Sequence, residues 1–148
     1  MNGIHLRCGV TAALSAAGSA LAAALGGWDG GLETLVWCMA VDYLTGLMVA
    51  GVFHRSGKSE SGTLDSRAGF LGLVRKGAEL LLVLVANRLD GALGGGAYAR
   101  TAVILFFTAN EGLSILENLG LMGVPYPAFL QAALEVLRDN SQSGTEKR

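Results

Sequence analysis

The sequence predicts an all-α integral membrane protein with about four transmembrane helices. Hydrophobic residues make up 51% of the 148 positions, charged residues only 16%, and the mean hydropathy is +0.46. This composition is typical of membrane proteins and not of soluble domains. Several apolar runs approach or exceed the roughly 17–25 residues that a helix needs to cross a bilayer. We therefore expect one transmembrane helical domain over residues 1–138 and a polar cytoplasmic tail over 139–148.

The first apolar run, residues 8–25, follows Arg7 and is just long enough to span. Its small-residue end is also compatible with a cleaved signal peptide, which begins in the same way with a basic residue and an apolar stretch. We favour a retained helix. If this run does not span, three transmembrane helices remain.

The second apolar run, residues 32–53, carries Asp42 near its middle. Helical spacing places Asp42 on one face with Thr45 and Gly46, which makes a small-residue groove containing one acid. Two interpretations stay open for Asp42: a hydrogen bond that fixes the packing of a neighbouring helix, or a direct role in a pore or in proton handling. Both keep the carboxylate away from lipid.

A polar loop follows from residue 54, and residues 64–74 then become amphipathic, which predicts an interfacial helix before the third span. Arg67, Arg75 and Lys76 are expected to meet lipid headgroups or the start of the next helix; a solvated linker is the alternative. The third span is predicted over residues 77–93, with Glu79 and Asp90 near its two ends, within reach of water.

The fourth span is predicted over residues 101–119, ended by the glycines at 120 and 123. Its second half carries polar side chains within about a third of the helix circumference. This polar stripe consists of Asn110, Glu111, Ser114, Glu117 and Asn118. Intramembrane ionisable groups cost about 2.5–3.5 kcal/mol each on insertion scales, so the stripe should face protein or water. Two prolines then mark a bend before a short amphipathic C-terminal helix over 128–138.

The distribution of basic residues predicts the orientation. With four spans, nine of the 11 Lys and Arg residues fall on one side, and only Arg88 and Arg100 fall on the other. The positive-inside rule then places both termini and the central loop in the cytoplasm.

Several function classes lack support. The net charge of −1 gives no basic surface for nucleic acid. Cys8 and Cys38 lie in apolar runs without metal-ligand spacing, and the two histidines are isolated, so we predict no metal and no cofactor. No nucleophile elbow, zinc-protease motif or phosphate loop is present, so we predict no enzymatic activity.

Four short patterns, in order along residues 33–138, resemble the phage holin family that includes the toxin-secretion holins of clostridia. They are Asp42-x-x-Thr45-Gly46-x-x-x-Ala50, Ser66-x-x-Gly69-x-x-Gly72-Leu73-x-Arg75-Lys76, Asn110-Glu111-x-x-Ser114-Ile115-x-Glu117-Asn118 and Gly123-Val124-Pro125-x-Pro127. The resemblance implies a protein that oligomerises in the cytoplasmic membrane of an infected bacterium. It also implies timed lesions that release an endolysin or a toxin, without requiring direct contact with that enzyme.

Two alternatives remain from the residues themselves. A small ion- or proton-conducting channel or transport subunit would also place Asp42, Glu111 and Glu117 at membrane depth. The polar stripe could equally be a zipper that holds the helices of one chain together, because most intramembrane hydrogen bonds are packing contacts.

Overall fold

The computed structural model describes residues 2–53, 65–130, 132–133 and 136. Its long helices are α1 (Asn2–Ala24), α2 (Gly30–Met48), α3 (Ser66–Ala92) and α4 (Tyr98–Leu121). A short π-helical segment, Val49–Phe53, continues α2 without interruption. The described part of the chain contains no strand, so the predicted all-α class is confirmed at this level.

Helices α2 and α4 start at the same end of the molecule. Helix α3, which lies between them in the sequence, runs in the opposite direction. The side chain of Asp29 caps α2 by accepting a hydrogen bond from the N–H of Leu32 at 2.9 Å. At the other end, α4 stops as predicted before Gly123, whose φ of +78° closes the last turn. The end of the molecule at which α2 and α4 begin is called the loop end below.

The apolar core lies next to the loop end, between α2, α3 and α4. Leu32, Leu35 and Val83 are completely buried there, and Met39 and Ile104 are nearly so. On α2 these side chains recur at helical spacing, which turns one stripe of the helix towards its neighbours. Beyond this core the interior of the bundle changes from apolar to polar.

The outer surface of the bundle is apolar. Trp37 on α2, Leu81 on α3 and Leu105 on α4 are each more than 60% exposed. Several charged groups, by contrast, are buried in the interior, which is unusual for a soluble protein. Among the described residues, two helices are long and apolar enough to cross a membrane, Gly30–Phe53 and Tyr98–Leu121. These are the second and fourth predicted spans.

Helix α1 stands apart from the other three. Each of its side chains from position 7 to position 21 is exposed, and burial begins only at its end, where Leu25 enters the core. The first apolar run is therefore helical as predicted, while its crossing of the membrane stays a prediction. The same holds for a crossing by α3, since neither helix is among the two candidate spans.

The region before the predicted third span differs from our expectation. We expected an interfacial helix over 64–74 and a separate spanning helix over 77–93, but Ser66–Ala92 is one continuous helix. The charged pair Arg75–Lys76, which suggested a boundary, lies inside it. A boundary is unnecessary because the charge of Lys76 is neutralised within the bundle, as described below.

Three predicted regions lie wholly or partly outside the described residues. The polar loop over 54–64 and the tail over 139–148 are among them. Of the C-terminal amphipathic helix predicted over 128–138, the described positions 128–130, 132–133 and 136 are helical.

Candidate functional site

A buried group of charges joins the three packed helices. The ammonium of Lys76 on α3 lies 2.8 Å from Oδ2 of Asp42 on α2 and 2.5 Å from Oε2 of Glu111 on α4. The three side chains are only 13%, 8% and 7% exposed, respectively. We call Asp42, Lys76 and Glu111 the ion cluster. One ammonium thus binds two carboxylates that come from different helices.

A layer of neutral hydrogen bonds continues from the ion cluster. The amide nitrogen of Asn118 donates to Oδ1 of Asp42 at 3.2 Å and to Oγ1 of Thr45 at 3.0 Å. It also lies 3.4 Å from the main-chain carbonyl of Asp42. Gly46 lies beside this amide, and a Cβ at that position would be in ordinary van der Waals contact with it at 3.8 Å. Asn118 therefore fixes the Asp42 carboxylate from the side opposite the lysine.

Helical periodicity explains why these side chains meet. Glu111 and Asn118 are two turns apart on α4 and point to the same side, towards α2. Asp42 and Thr45 are one turn apart on α2, and the threonine hydroxyl bonds back to the carbonyls of Val41 and Asp42. That bond satisfies the hydroxyl within its own helix while its oxygen still accepts from Asn118.

The ion cluster lies well inside the helices. Asp42 is about 18 Å along α2 from Gly30, and Glu111 is about 20 Å along α4 from Tyr98, at 1.5 Å per residue. Because the surface at this level is apolar, the charges depend on one another for stabilisation. Removing one partner of a buried pair costs about 3–5 kcal/mol, since it leaves an uncompensated charge.

A third carboxylate approaches the same place. Glu79 lies one turn after Lys76 on α3 and interacts electrostatically with both Glu111 and Lys76. Its Oε2 atom is buried and has no hydrogen-bond partner among the described residues. We had expected Glu79 near water at the end of a span. Its position inside the continuous α3 helix explains the difference.

An aromatic contact also holds α3 against α2. The ring of Tyr43 lies over Gly69 and Gly72: a Cβ on these glycines would be 3.6 Å from the tyrosine oxygen and 3.9 Å from the ring, respectively. Larger residues would push the ring away. The N-terminal half of α3 is therefore attached to α2 through Tyr43 and through Lys76.

A second polar group lies at the loop end, centred on Arg100. Its guanidinium donates to the carbonyls of Leu25 at 2.6 Å and Gly27 at 3.0 Å, and it pairs with Oδ2 of Asp29 at 2.5 Å. The hydrogen bond from Arg100, followed by that from the Leu32 N–H, holds the pKa of the Asp29 carboxyl below its usual value of 3.8. Arg100 thus ties the α1–α2 turn to the start of α4.

The turn between α3 and α4 is fixed in the same region. Both carboxylate oxygens of Asp90 accept main-chain hydrogen bonds, from Ala99 at 2.9 Å and Arg100 at 2.8 Å. Asp90 is buried, although we had expected it to reach water. A carboxylate at the N-terminus of a helix is favoured there by the unpaired N–H groups and the helix dipole. Asn87 extends the network by donating to the carbonyl of Ala24 at 3.1 Å.

The structure brings some of the predicted site residues together and leaves others apart. Asp42, Thr45, Gly46, Glu111 and Asn118 form one site, as a helix interface within a single chain. Residues of the polar stripe that do not join it are Asn110 and Ser114, which are half-buried, and Glu117, which is exposed.

The predicted basic residues divide in the same way. Arg67 and Arg75 are exposed, which is compatible with headgroup contact. Lys76 was expected at the membrane boundary, but it lies in the ion cluster. The physical reason is that its two acidic partners neutralise it inside the bundle, so that it gains more there than from headgroups.

The sequence analysis missed two central features of the site: the role of Arg100 and the ion pairs of Lys76. A signal for the second was present, because two intramembrane acids require a cation and Lys76 begins the predicted third span. No comparable signal pointed to Arg100, which depends on main-chain carbonyls that only the folded turn brings together.

Comparison with known proteins gives relatives that are similar to most of this chain. An uncharacterised protein of Clostridium perfringens is 39% identical over 117 residues, covering 78% of this chain and 81% of the relative. A protein of Bacillus phage phi105 described as a probable holin is 35% identical over 116 residues, covering 78% and 80%. An uncharacterised protein of Listeria monocytogenes is 36% identical over 116 residues, covering 78% and 77%.

No solved structure matches this chain. Residues 19–139, in contrast, match the sequence profile of the bacteriophage holin family. This range includes α2, α3 and α4 with the whole ion cluster. The extent of the match, together with the similarity to the phage protein, shows that the chain belongs to the bacteriophage holin family.

Proposed function

We propose that this protein is a holin that oligomerises in the cytoplasmic membrane of the bacterial host and opens timed lesions. Through these lesions an endolysin, or a toxin, leaves the cell. The family match and the phage relative support a holin role. Membership in the holin family also favours a pore-forming and non-enzymatic activity.

The observation that carries the proposal is the placement of charge. Asp42, Lys76 and Glu111 are paired inside a bundle whose outer surface is apolar. In this form the chain can accumulate in lipid without exposing the charges of the ion cluster. A rearrangement that turns the same groups towards water would supply a hydrophilic surface, which a lesion needs. The flank of α4 with Asn110, Ser114 and Glu117 would add to that surface.

The proposed orientation has both termini in the cytoplasm. Arg67 and Arg75, exposed on the N-terminal half of α3, would then lie on the cytoplasmic side, where anionic lipids attract basic side chains. Arg100 lies at the opposite end, but its charge is balanced by Asp29. Arg88, which is exposed, then remains as the one unbalanced basic residue among those predicted on the outer side.

The test is inducible expression in a bacterium, with and without an endolysin that lacks its own signal sequence. Culture density and membrane potential are followed together. We expect abrupt lysis only when the endolysin is present. Absence of both lysis and depolarisation, with the protein recovered in the membrane, would contradict the proposal.

A small ion- or proton-conducting channel is the second candidate, favoured by the carboxylates of Asp42, Glu79 and Glu111 around one ammonium. The same experiment separates the two functions by the size of what passes. Depolarisation without escape of the endolysin from the cytoplasm would favour the channel.

A further inference from the structure

The ion cluster is the main polar connection between α3 and the rest of the bundle at its buried end. Lys76 is the contribution of α3, while Asp42 and Glu111 belong to α2 and α4. The C-terminal half of α3 packs into the apolar core through Val83, whereas its N-terminal half contacts α2 through the ring of Tyr43 over Gly69 and Gly72. A movement of the N-terminal half of α3 must therefore break the two ion pairs.

The separated charges need new partners. Each would cost about 2.5–3.5 kcal/mol if it faced lipid near the centre of the bilayer. A free copy of the same chain carries complementary groups: an ammonium on its α3 and two carboxylates on α2 and α4. Pairing between copies would reproduce the same contacts with the same geometry, which is the basis of exchange between identical protomers.

We propose that the surface formed by Asp42, Glu111 and Asn118 is the docking site for α3 of a second copy, with Lys76 exchanged between protomers when the oligomer forms. This inference rests on the proposed holin function. Reciprocal exchange between two copies would give a closed dimer, whereas exchange in which the acids of each copy bind the lysine of the next is heterologous. Such contacts are propagated from copy to copy and close into rings or continue as open arrays. The ion cluster is then a closed contact in the single chain and an assembly contact in the oligomer.

The exchange is tested with two variants that are defective in opposite ways. Lys76→Met keeps the acids and lacks the ammonium, whereas the double variant Asp42→Asn, Glu111→Gln keeps the ammonium and lacks the acids. Neither can form the Lys76–Asp42 or Lys76–Glu111 ion pair within its own chain, alone or in a mixture. Co-expressed copies can form the pair only between chains.

We expect each variant alone to change the onset of lysis by at least about fourfold, given the cost of an unpaired buried charge. The co-expressed mixture, at the same total amount in the membrane, should return to within about twofold of the unsubstituted chain. A mixture that behaves like the average of the two variants would overturn the exchange and favour pairing with water. Arg75→Met, next to Lys76 but exposed, is the matched control and should leave the onset of lysis unchanged.

A second measurement avoids unpaired charges in case both variants fail to fold. In a chain with Cys8→Ser and Cys38→Ser, one tagged copy carries Tyr43→Cys and a differently tagged copy carries Gly72→Cys. These positions are in contact within a chain. A disulfide between the two tags at the time of lesion formation, and not before, is the expected result.

The control for this measurement is one chain that carries both cysteines and forms the bond internally. If this control forms its disulfide and the two tagged copies do not, the exchange is excluded. Because the disulfide is read in isolated membranes and lysis is read in cells, failure of the holin function and failure of the exchange give different results.

Discussion

Lys76 determines the polar interior of this protein. Its ammonium is the cation that two buried carboxylates share, so its removal leaves Asp42 and Glu111 facing each other across the bundle. Arg75, its neighbour in sequence, is exposed and makes no described ion pair with either carboxylate. These two adjacent basic residues thus have different roles, because their side chains leave the helix in different directions.

This difference predicts unequal effects of two substitutions. Lys76→Met should lower the free energy of unfolding in detergent micelles by about 3–5 kcal/mol, because it leaves uncompensated buried charge. Arg75→Met should change it by no more than about 0.5 kcal/mol, as expected for an exposed site. Denaturant unfolding followed by circular dichroism measures both. Equal effects would contradict the assignment of Lys76 to the interior.

Asp29 makes the stability at the loop end dependent on pH. Arg100 lowers the pKa of the folded-state carboxyl below 3.8, so the ionised form is favoured by folding. Its contribution is therefore fully present above about pH 4 and is lost as the pH falls through the lowered folded pKa.

The matched variant is Asp29→Asn, which keeps a good helix cap but has no charge. We expect the unsubstituted protein to have the higher melting temperature at pH 6, and the two melting temperatures to converge below about pH 4. Thermal unfolding in detergent over this pH range measures the effect. A difference that stays constant with pH would show that the Arg100–Asp29 pair contributes nothing.

At the scale of the elements, the turn between α1 and α2 is the most constrained connection. Gly26 has a φ of +93°, and a Cβ there would lie 2.5 Å from Oδ1 of Asn87 and 2.7 Å from Nε of Arg100. Arg100 cannot move aside cheaply, since two hydrogen bonds to main-chain carbonyls and the ion pair with Asp29 hold its guanidinium. The neighbouring Gly27 has a similar φ of +101° but open space around it.

Alanine substitutions at Gly26 and Gly27 distinguish the cost of backbone strain from the cost of steric conflict. Gly27→Ala should cost about 1–2 kcal/mol in unfolding free energy from the left-handed conformation alone. Gly26→Ala should cost more, because the methyl group also displaces Asn87 and Arg100. The same denaturant experiment compares them. If Gly27→Ala were the more damaging change, the described packing of this turn would be wrong.

Helices α2 and α4 were predictable from the sequence because each is a long apolar run bounded by glycine-rich or polar segments. Their observed ends, Gly30 and Phe53 for the first and Tyr98 and Leu121 for the second, lie within a few residues of the prediction. The extent of α3 was not predictable in this way. Its N-terminal half interleaves apolar residues with the basic Arg67, Arg75 and Lys76, and the burial of Lys76 depends on partners from two other helices.

The candidate site shows the same limit. Periodicity placed Asp42 with Thr45, and Glu111 with Asn118, on single faces of their helices, and these faces do meet. That one face of α4 meets α2, while Glu117 remains outside, follows from how the helices cross. Such crossing is set by side chains distant in sequence, so no local pattern reports it.

At the scale of the whole molecule, α1 is separate from the bundle. Its side chains from position 7 to 21 contribute no buried surface. Deletion of residues 2–18 should therefore leave the unfolding free energy of the remaining helices within about 0.5 kcal/mol of the full chain. Leu35→Ala, at a fully buried position, is the positive control and should cost roughly 2–5 kcal/mol.

The same deletion tests the orientation. The basic residues that remain still favour the cytoplasm for the side on which α3 begins. A cysteine introduced at Ser66 should not react with a membrane-impermeant thiol reagent in intact cells. We expect this result both with and without residues 2–18. Labelling of the shortened chain from outside would show that α1 determines the orientation.

The order of synthesis gives the ion cluster a further meaning. Lys76 lies 34 residues after Asp42 and 35 residues before Glu111 in the chain. When α2 leaves the ribosome, its carboxylate has no cation, and when α3 follows, its lysine can neutralise only the first of two acids. A transmembrane helix with an unpaired acid partitions poorly into lipid by itself. If α3 crosses the membrane as predicted, we expect the insertion machinery to retain α2 until α3 and α4 have emerged, so that the three helices enter the bilayer as a group.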